Sequence, residues 1–167
     1  MTRTLSILVT IAVGALAHPA STAAETPMQS ATGSGHFHYT DDTGVTGWRT
    51  FAFEAHRRPD GVVAGTAEVK NRATGQALHI RIDCLNVIGN IAVMSGTATS
   101  ATGPGNTDGD AEIFGVEDNG QGASAKPDRV TRVYGNSGFV CTDVTPANVG
   151  LYTDLLHDVE AGNVQIR

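Results

Sequence analysis

The chain has 167 residues, and its 17 acidic against 11 basic side chains give it a net charge of −6 at pH 7. Such a chain is repelled by the phosphates of nucleic acids and by anionic lipid surfaces, so we expect no nucleic-acid partner. Aromatic residues make up only 5% of the chain, with Trp48 the single tryptophan, which argues against the stacking platforms of many sugar and single-strand binders.

Residues 1–24 are predicted to be a signal peptide. Arg3 precedes an apolar run over residues 5–17, and a stretch of small residues follows before Glu25, which is the order of a secretory leader. The apolar run is shorter than the roughly 20 residues that a membrane-spanning helix needs. We therefore expect one secreted domain, residues 25–167, in the periplasm or outside the cell, with no membrane span.

Short alternating runs between glycine-rich turns predict antiparallel β structure in the first part of this domain. The expected strands are 35–40, 48–56, 62–70, 77–86 and 91–99. The first would place Phe37 and Tyr39 on one face. A turn near residues 59–61 would set Phe53 opposite Ala67, which pairs a large ring with a small side chain.

The fourth strand has the clearest alternation of the chain, with apolar residues from Leu78 to Cys84 at every second position. The pattern predicts that Cys84 shares the buried face with Leu78. A tight hairpin before this strand would place Arg81 opposite Glu68 on the wet face.

After a loop over residues 101–110, further strands are expected at 111–117, 128–134, 138–142 and 163–167. Between the last two, apolar residues at spacings of three and four predict a short helix within 146–158, with Thr145 as N-cap and Pro146 at N1. A loop followed by a strand also accounts for these residues.

This order of elements predicts an all-β fold, an antiparallel meander that forms a small closed or nearly closed β-barrel, with a β-sandwich as the alternative. The barrel is preferred because pairing the first strand with the last would remove two exposed sheet edges. Outside the cytosol two cysteines are expected to oxidise, so we also predict a disulfide between Cys84 and Cys141.

Six short sequence segments of the chain resemble those of a known group of proteins. They are Gly-Ser-Gly at 33–35, Thr-Phe-Ala-Phe at 50–53, Ile-Asp-Cys-Leu-Asn-Val at 82–87, Gly-Asn-Ile-Ala at 89–92, Val-Glu-Asp-Asn-Gly at 116–120 and Gly-Asn-Val-Gln-Ile at 162–166. With these segments the domain resembles a group of secreted bacterial β-domain proteins whose activity is uncharacterised. The resemblance implies export and an all-β fold, and it transfers no catalytic residue.

Two sets of residues are weak candidates for metal ligands. His36 and His38 alternate on one strand, so their imidazoles could share a copper, nickel or zinc ion. The same alternation points both to solvent, and the expected hairpin register brings His38 near Thr50, so we prefer to interpret them as surface histidines. No metal site is therefore assigned to this pair.

The second set is a group of oxygen ligands in and after the loop, formed by Asn106, Asp108, Asp110 and Glu112. Extracellular calcium favours such clusters, but the spacing does not match a calcium-binding loop, because position six of a loop that starts at Asp108 is Ile113 and not glycine. A solvated connection is the preferred interpretation, and we expect no cofactor.

For function, the sequence predicts a non-enzymatic extracellular or envelope-associated structural or interaction domain. One alternative is a carrier of a small apolar molecule in the barrel interior, and another is a hydrolase or isomerase with unassigned acidic residues. A partner would be a small ligand or an envelope component. The volume of empty space inside the barrel distinguishes the structural or interaction domain from the carrier, because a filled interior leaves no room for a ligand. The side chains expected to fill the interior are Phe51, Phe53, Val69, Ile80, Ile82 and Met94.

Overall fold

The computed structural model describes residues 28–41, 43–103, 105, 107–122 and 124–167. The expected signal peptide, 1–24, lies outside these residues. Among the helices in the described ranges, none has the length and apolar character needed to cross a membrane.

The described chain is predominantly β, as the alternation predicts. Its strands are β1 (Ser30–Thr40), β2 (Thr46–Arg57), β3 (Val63–Asn71), β4 (Ala77–Ile88), β5 (Ile91–Thr102), β6 (Ala111–Glu117), β7 (Arg129–Val130), β8 (Tyr134–Gly135), β9 (His157–Asp158) and β10 (Ala161–Ile166). A 3₁₀ helix at Cys141–Asp143 and one short helix, α1 (Val149–Thr153), lie between β8 and β9.

All strands join one antiparallel sheet in the order β10-β1-β2-β3-β4-β5-β6-β7-β9, with β8 also paired to β6. The expected pairing of the first and last strands is confirmed, with Ala31 opposite Ile166. This pairing does not close the ladder, because β10 and β9 remain its two ends. The structure is thus an antiparallel meander whose strand ladder is not closed.

The sheet curls so that its inner face packs against itself. Phe53 of β2 and Phe114 of β6 have ring centroids 5.7 Å apart. These strands are four positions apart in the sheet, which at a spacing of about 4.8 Å would separate them by roughly 19 Å in a flat sheet. The curl therefore brings the inner residues of distant strands into one apolar core.

Two carboxylates join the unpaired edge of β10 to the segment around β7. Asp128 Oδ2 accepts a hydrogen bond from Val164 N at 2.7 Å, and Asp118 Oδ2 accepts one from Ile166 N at 3.0 Å. Asp128 Oδ1 also accepts one from Asn119 N at 2.9 Å. Side chains thus satisfy backbone donors of an edge that the strand ladder leaves open.

The substitution Asp128→Asn should lower the free energy of unfolding by about 2 kcal/mol, because it replaces a charge-assisted acceptor of the buried Val164 amide. Urea unfolding followed by far-UV circular dichroism measures the change. Asp154→Asn is the matched control, since Asp154 is exposed and should change stability by less than about 0.5 kcal/mol. Equal stability of the two variants would show that the carboxylate does not hold this edge.

The strand register is confirmed in one hairpin and wrong in the next. Phe53 lies opposite Ala67, as predicted. Glu68, however, lies opposite His79 rather than Arg81. The reason is the turn, in which Asn71 N donates to Gln76 O and the Asn71 side chain caps the loop, so the turn is centred one residue earlier than expected and the pairing shifts by two.

The prediction that Cys84 shares the buried face with Leu78 is wrong. The pairing of β4 with β5 is irregular between Ile82 and Cys84, so Asp83 is an extra residue and the alternation changes side after it. Leu85 then lies in the main core, while Cys84 faces outward against a second apolar cluster.

The second cluster lies where residues 136–156 cover the outer face of β4, β5 and β6. Its buried members are Ile91, Val93, Ile113, Cys141 and Val144. The predicted disulfide Cys84–Cys141 is present and connects β4 to the 3₁₀ helix. Asn86 Nδ2 adds hydrogen bonds to the carbonyls of Cys141 and Val144 at 3.0 and 2.7 Å.

The last quarter of the chain differs from its prediction in two places. The expected strand at 138–142 is absent, since the 3₁₀ helix begins at Cys141 and the short strand of this region, β8, ends at Gly135. The predicted short helix is present, but it begins at Val149, because Thr145 O accepts from Val149 N in a turn before the helix.

Candidate functional site

The inner face of the sheet is filled in its middle and open at one end. Among the rings of Phe37, Phe51, Phe53 and Phe114 only about 10 Å³ remains. At one end of the sheet a cavity of about 220 Å³ opens to solvent. We refer to it below as the open-end cavity, and its apolar side is formed by Phe37, Val69, Leu78 and Val133.

The open-end cavity has a polar side because of where the inner positions of neighbouring strands end. Tyr39 near the end of β1, Arg49 near the start of β2 and Asn71 at the end of β3 all line it. Antiparallel neighbours bring these ends to one edge, and Arg49 lies directly opposite Asn71. Asp41, Gln76 and Arg132 complete the lining.

Arg49 is the buried cation of the open-end cavity, with a side chain only 9% exposed. Its Nη1 donates a hydrogen bond to Asn71 Oδ1, and its Cζ lies 5.3 Å from the centroid of the Tyr39 ring. Burial lowers the pKa of Arg49, while the nearby Asp41 acts in the opposite direction. A guanidinium nonetheless remains charged in proteins, so the cavity wall carries a fixed positive charge.

A second guanidinium lies on the same tyrosine. Arg132 Nη1 donates to Tyr39 Oη at 2.7 Å, and its Cζ is 5.6 Å from the Tyr39 ring centroid. It also stacks on Tyr134, at 4.7 Å from that ring centroid. Cation–π contacts of this kind hold both arginines in place around Tyr39.

Asp41 is the acidic residue in the cavity lining, and its carboxylate is bound by its own loop. Oδ1 accepts from Thr43 Oγ1 at 2.6 Å and from the backbone amides of Thr43 and Val45 at 3.0 Å each. These hydrogen bonds, the one from the Thr43 side chain first, lower the pKa of Asp41. The described lining residues therefore include two guanidinium groups and one carboxylate that its loop already engages.

His157 packs beside the cavity as a neutral ring. Its ring stacks on Phe37 with centroids 5.5 Å apart and meets the edge of Tyr39 at 5.3 Å. Burial, followed by the charge of Arg132, lowers the pKa of His157. At pH 7 it adds aromatic surface rather than charge to this end of the molecule.

Glu112 is a buried acid on the same inner face, with only 1% of its surface exposed. Neither of its carboxylate oxygens has a hydrogen-bond partner among the described residues. It lies opposite Gly135, and a Cβ atom added at Gly135 would come within 3.2 Å of the Glu112 Oε2 atom. Burial, with a smaller contribution from Asp110, raises the pKa of Glu112 to about 7, so it is largely protonated in mildly acidic solution.

The candidate calcium ligands do not converge. Asp108 Oδ1 accepts from Ala101 N and Asp110 Oδ2 accepts from Thr107 N, both at 2.8 Å, while Glu112 shares the inner face of β6 with Phe114. Asn106 lies outside the described residues. Across the part of the chain that is described, no group of three His, Cys, Asp or Glu residues is placed to hold a metal ion.

His36 and His38 lie on the outer face, as the alternation predicts, but the expected register is wrong. His38 is opposite Trp48 rather than Thr50, because Asp41 N pairs with Val45 O in a turn centred one residue earlier than expected. Both imidazoles pack on the Trp48 ring, at centroid distances of 4.4 and 3.6 Å. His38 Nδ1 also lies 2.7 Å from Glu160 Oε1, so it forms part of a surface cluster.

The polar residues of the open-end cavity were not among the sequence candidates. One signal was present for Arg49, which stands two residues before Phe51 and so falls on the inner face when the alternation is extended backwards. Arg132 carried no such signal, because it follows the two-residue strand β7 rather than lying in a regular alternation.

Comparison with known proteins adds no name to this site. No family model, no curated protein and no solved structure matches the chain. The resemblance to secreted bacterial β-domain proteins therefore stays a prediction, and the functional argument depends on the geometry of the open-end cavity.

Proposed function

We propose that the protein is a non-enzymatic domain that binds a small ligand in the open-end cavity. The observation that carries this proposal is the contrast between about 220 Å³ of space at one end and about 10 Å³ among the central rings. A tightly filled interior would instead favour a purely structural domain. The cavity is below the usual ligand-site range of roughly 300–1,000 Å³, so the ligand is small or projects partly into solvent.

The proposed setting is an oxidising compartment. The Cys84–Cys141 disulfide supports it, because such bonds persist outside the cytosol. The predicted signal peptide adds the proposal that the protein is exported to the periplasm or the medium.

The other functional hypotheses have less support. The buried acid Glu112 has the raised pKa that an enzyme hypothesis would need, but it does not line the open-end cavity. The acid that does line the cavity, Asp41, has a lowered pKa and accepts three hydrogen bonds from its own loop, so it does not have the raised pKa that this hypothesis would need. The structural or interaction domain stays a prediction, and the exposed side chains of Phe139 and Leu151 are where a partner would be sought.

A cavity-filling variant tests the proposed function. Val133 lines both the cavity and the space beneath it, so Val133→Trp should fill the cavity. In ¹⁵N-labelled wild-type protein, hexan-1-ol or hexanoate should shift the amide resonances of Val69 and Leu78, and in Val133→Trp these shifts should disappear.

Val62→Trp is the matched control, because Val62 is 51% exposed and lies away from the cavity lining. It should respond to the probes like the wild type. The proposal is wrong if neither probe shifts the cavity amides of the wild type, or if Val133→Trp responds unchanged.

A further inference from the structure

We infer that the ligand of the open-end cavity is an organic carboxylate with a small apolar body, whose carboxylate binds Arg49 while the body contacts Leu78 and Val133. This inference rests on the proposed function, since it names the class of ligand for the same cavity.

The wall of the cavity has the opposite charge to the whole molecule. The chain has a net charge of −6, yet Arg49 and Arg132 both line this cavity. The carboxylate of Asp41 is turned to its own loop by three hydrogen bonds. A concave positive wall on an acidic protein selects an anionic ligand by electrostatic complementarity.

Arg49 is a buried cation that forms no ion pair among the described residues, and the more distant Asp41 carboxylate acts on it through its charge alone. The described ion pairs join His38 to Glu160, His79 to Glu68 and Arg129 to Glu117, and none includes Arg49. Its hydrogen bond to Asn71 Oδ1 is to a neutral amide. Burying a charge without a directly bonded opposite charge is costly, and a carboxylate bound to the remaining N–H groups of Arg49 would offset that cost.

The geometry suits a planar oxyanion. A guanidinium presents its N–H donors as a rigid fork that matches the two oxygens of a carboxylate. The hydrogen bond to Asn71 and the contact with the Tyr39 ring orient the Arg49 guanidinium at the cavity wall before a ligand arrives. Such preorganisation lowers the cost of binding.

The opposite side of the cavity explains why the anion should be organic. Phe37, Val69, Leu78 and Val133 give the cavity an apolar surface that inorganic phosphate would leave in contact with water. A short hydrocarbon body would cover this surface, and each CH₂ group that it removes from water would strengthen binding. The site therefore fits an amphipathic monoanion better than a free inorganic ion.

A matched series of probes tests the class of ligand on the full domain. Hexanoate, hexan-1-ol and hexylammonium share one chain length and differ in the charge of the head group. From amide-shift titrations we expect hexanoate to bind about tenfold more tightly than hexan-1-ol, hexylammonium to bind more weakly than the alcohol, and inorganic phosphate to cause no saturable shift.

Variants of Arg49 locate the head group. Arg49→Met keeps an apolar stem and removes the charge, so it should reduce the affinity for hexanoate to that for hexan-1-ol. Arg49→Lys keeps the charge and should retain part of the preference for the anion. Arg81→Met is the matched control, since Arg81 is exposed on the outer face of β4 and its loss should leave both affinities unchanged.

The outcomes separate this inference from the proposed function. If hexanoate and hexan-1-ol bind equally tightly and Val133→Trp abolishes the binding of both, the inference of an anionic ligand is wrong. The cavity would then be a site for a neutral ligand. If phosphate binds as tightly as hexanoate, the inference that the ligand has an apolar body is wrong. If no probe enters the cavity, the proposed function itself is wrong.

Discussion

The double variant Cys84→Ala/Cys141→Ala is expected to lose about 4 kcal/mol of the free energy of unfolding. The two cysteines are separated by 57 residues. Releasing a loop of that length raises the conformational entropy of the unfolded chain, and in the chain-entropy model this lowers the free energy of unfolding by about 4 kcal/mol. The second apolar cluster loses a covalent tie as well, because Cys141 is buried in it. Urea unfolding followed by far-UV circular dichroism measures the loss.

Reductant supplies the control for this variant. The wild type in excess dithiothreitol should unfold at nearly the same urea concentration as the double variant, whereas the variant itself should be insensitive to dithiothreitol. A double variant within about 1 kcal/mol of the oxidised wild type would mean that the apolar contacts and Asn86 hold residues 136–156 without the bond.

The Glu112 carboxyl should make stability fall as pH rises from about 4.5 to about 7. Its pKa is raised from an ordinary value of 4.5 to about 7 in the folded protein. Between these values the unfolded chain releases the proton while the folded protein keeps it, so ionisation favours unfolding. Below pH 4.5 this group costs nothing, and above pH 7 it costs about 3 kcal/mol.

Glu112→Gln should remove this part of the pH dependence. The difference in unfolding free energy between variant and wild type should shift in favour of the variant by about 3 kcal/mol between pH 4 and pH 8. Glu54→Gln is the matched control, because Glu54 is exposed on the outer face of β2 and its substitution should change stability by less than about 0.5 kcal/mol. A constant difference for Glu112→Gln would show that its carboxyl is not held protonated by burial.

The parts of the fold that depend on local alternation could be predicted from the sequence. Phe51 and Phe53 reach the core together because successive strand residues point to opposite faces, and Pro59-Asp60-Gly61 marks their turn correctly. The disulfide followed from the number of cysteines and the expected compartment. These inferences needed only neighbouring residues or composition.

The parts that failed depend on details that alternation does not encode. One extra residue at Asp83 reverses the faces of β4, and a turn centred one residue earlier changes the partner of Glu68. The short elements after residue 133 are fixed by contacts with β6 and the disulfide rather than by their own pattern. Tertiary packing therefore decided the C-terminal quarter.

The candidate site was the least predictable feature. At the open-end cavity, Arg49 and Arg132, which are far apart in sequence, both lie against the aromatic ring of Tyr39. That meeting requires the curl of the sheet, which no local pattern specifies. The metal candidates gain no support, because the described residues bring no three His, Cys, Asp or Glu side chains together.

The most direct test of the binding account is a crystal structure of the protein grown with hexanoate. We expect the carboxylate at about 2.9 Å from guanidinium nitrogens of Arg49 and the hydrocarbon chain against Leu78 and Val133. Hexanoate bound only on the outer face, for example beside Trp48, with the open-end cavity holding water alone, would contradict the account.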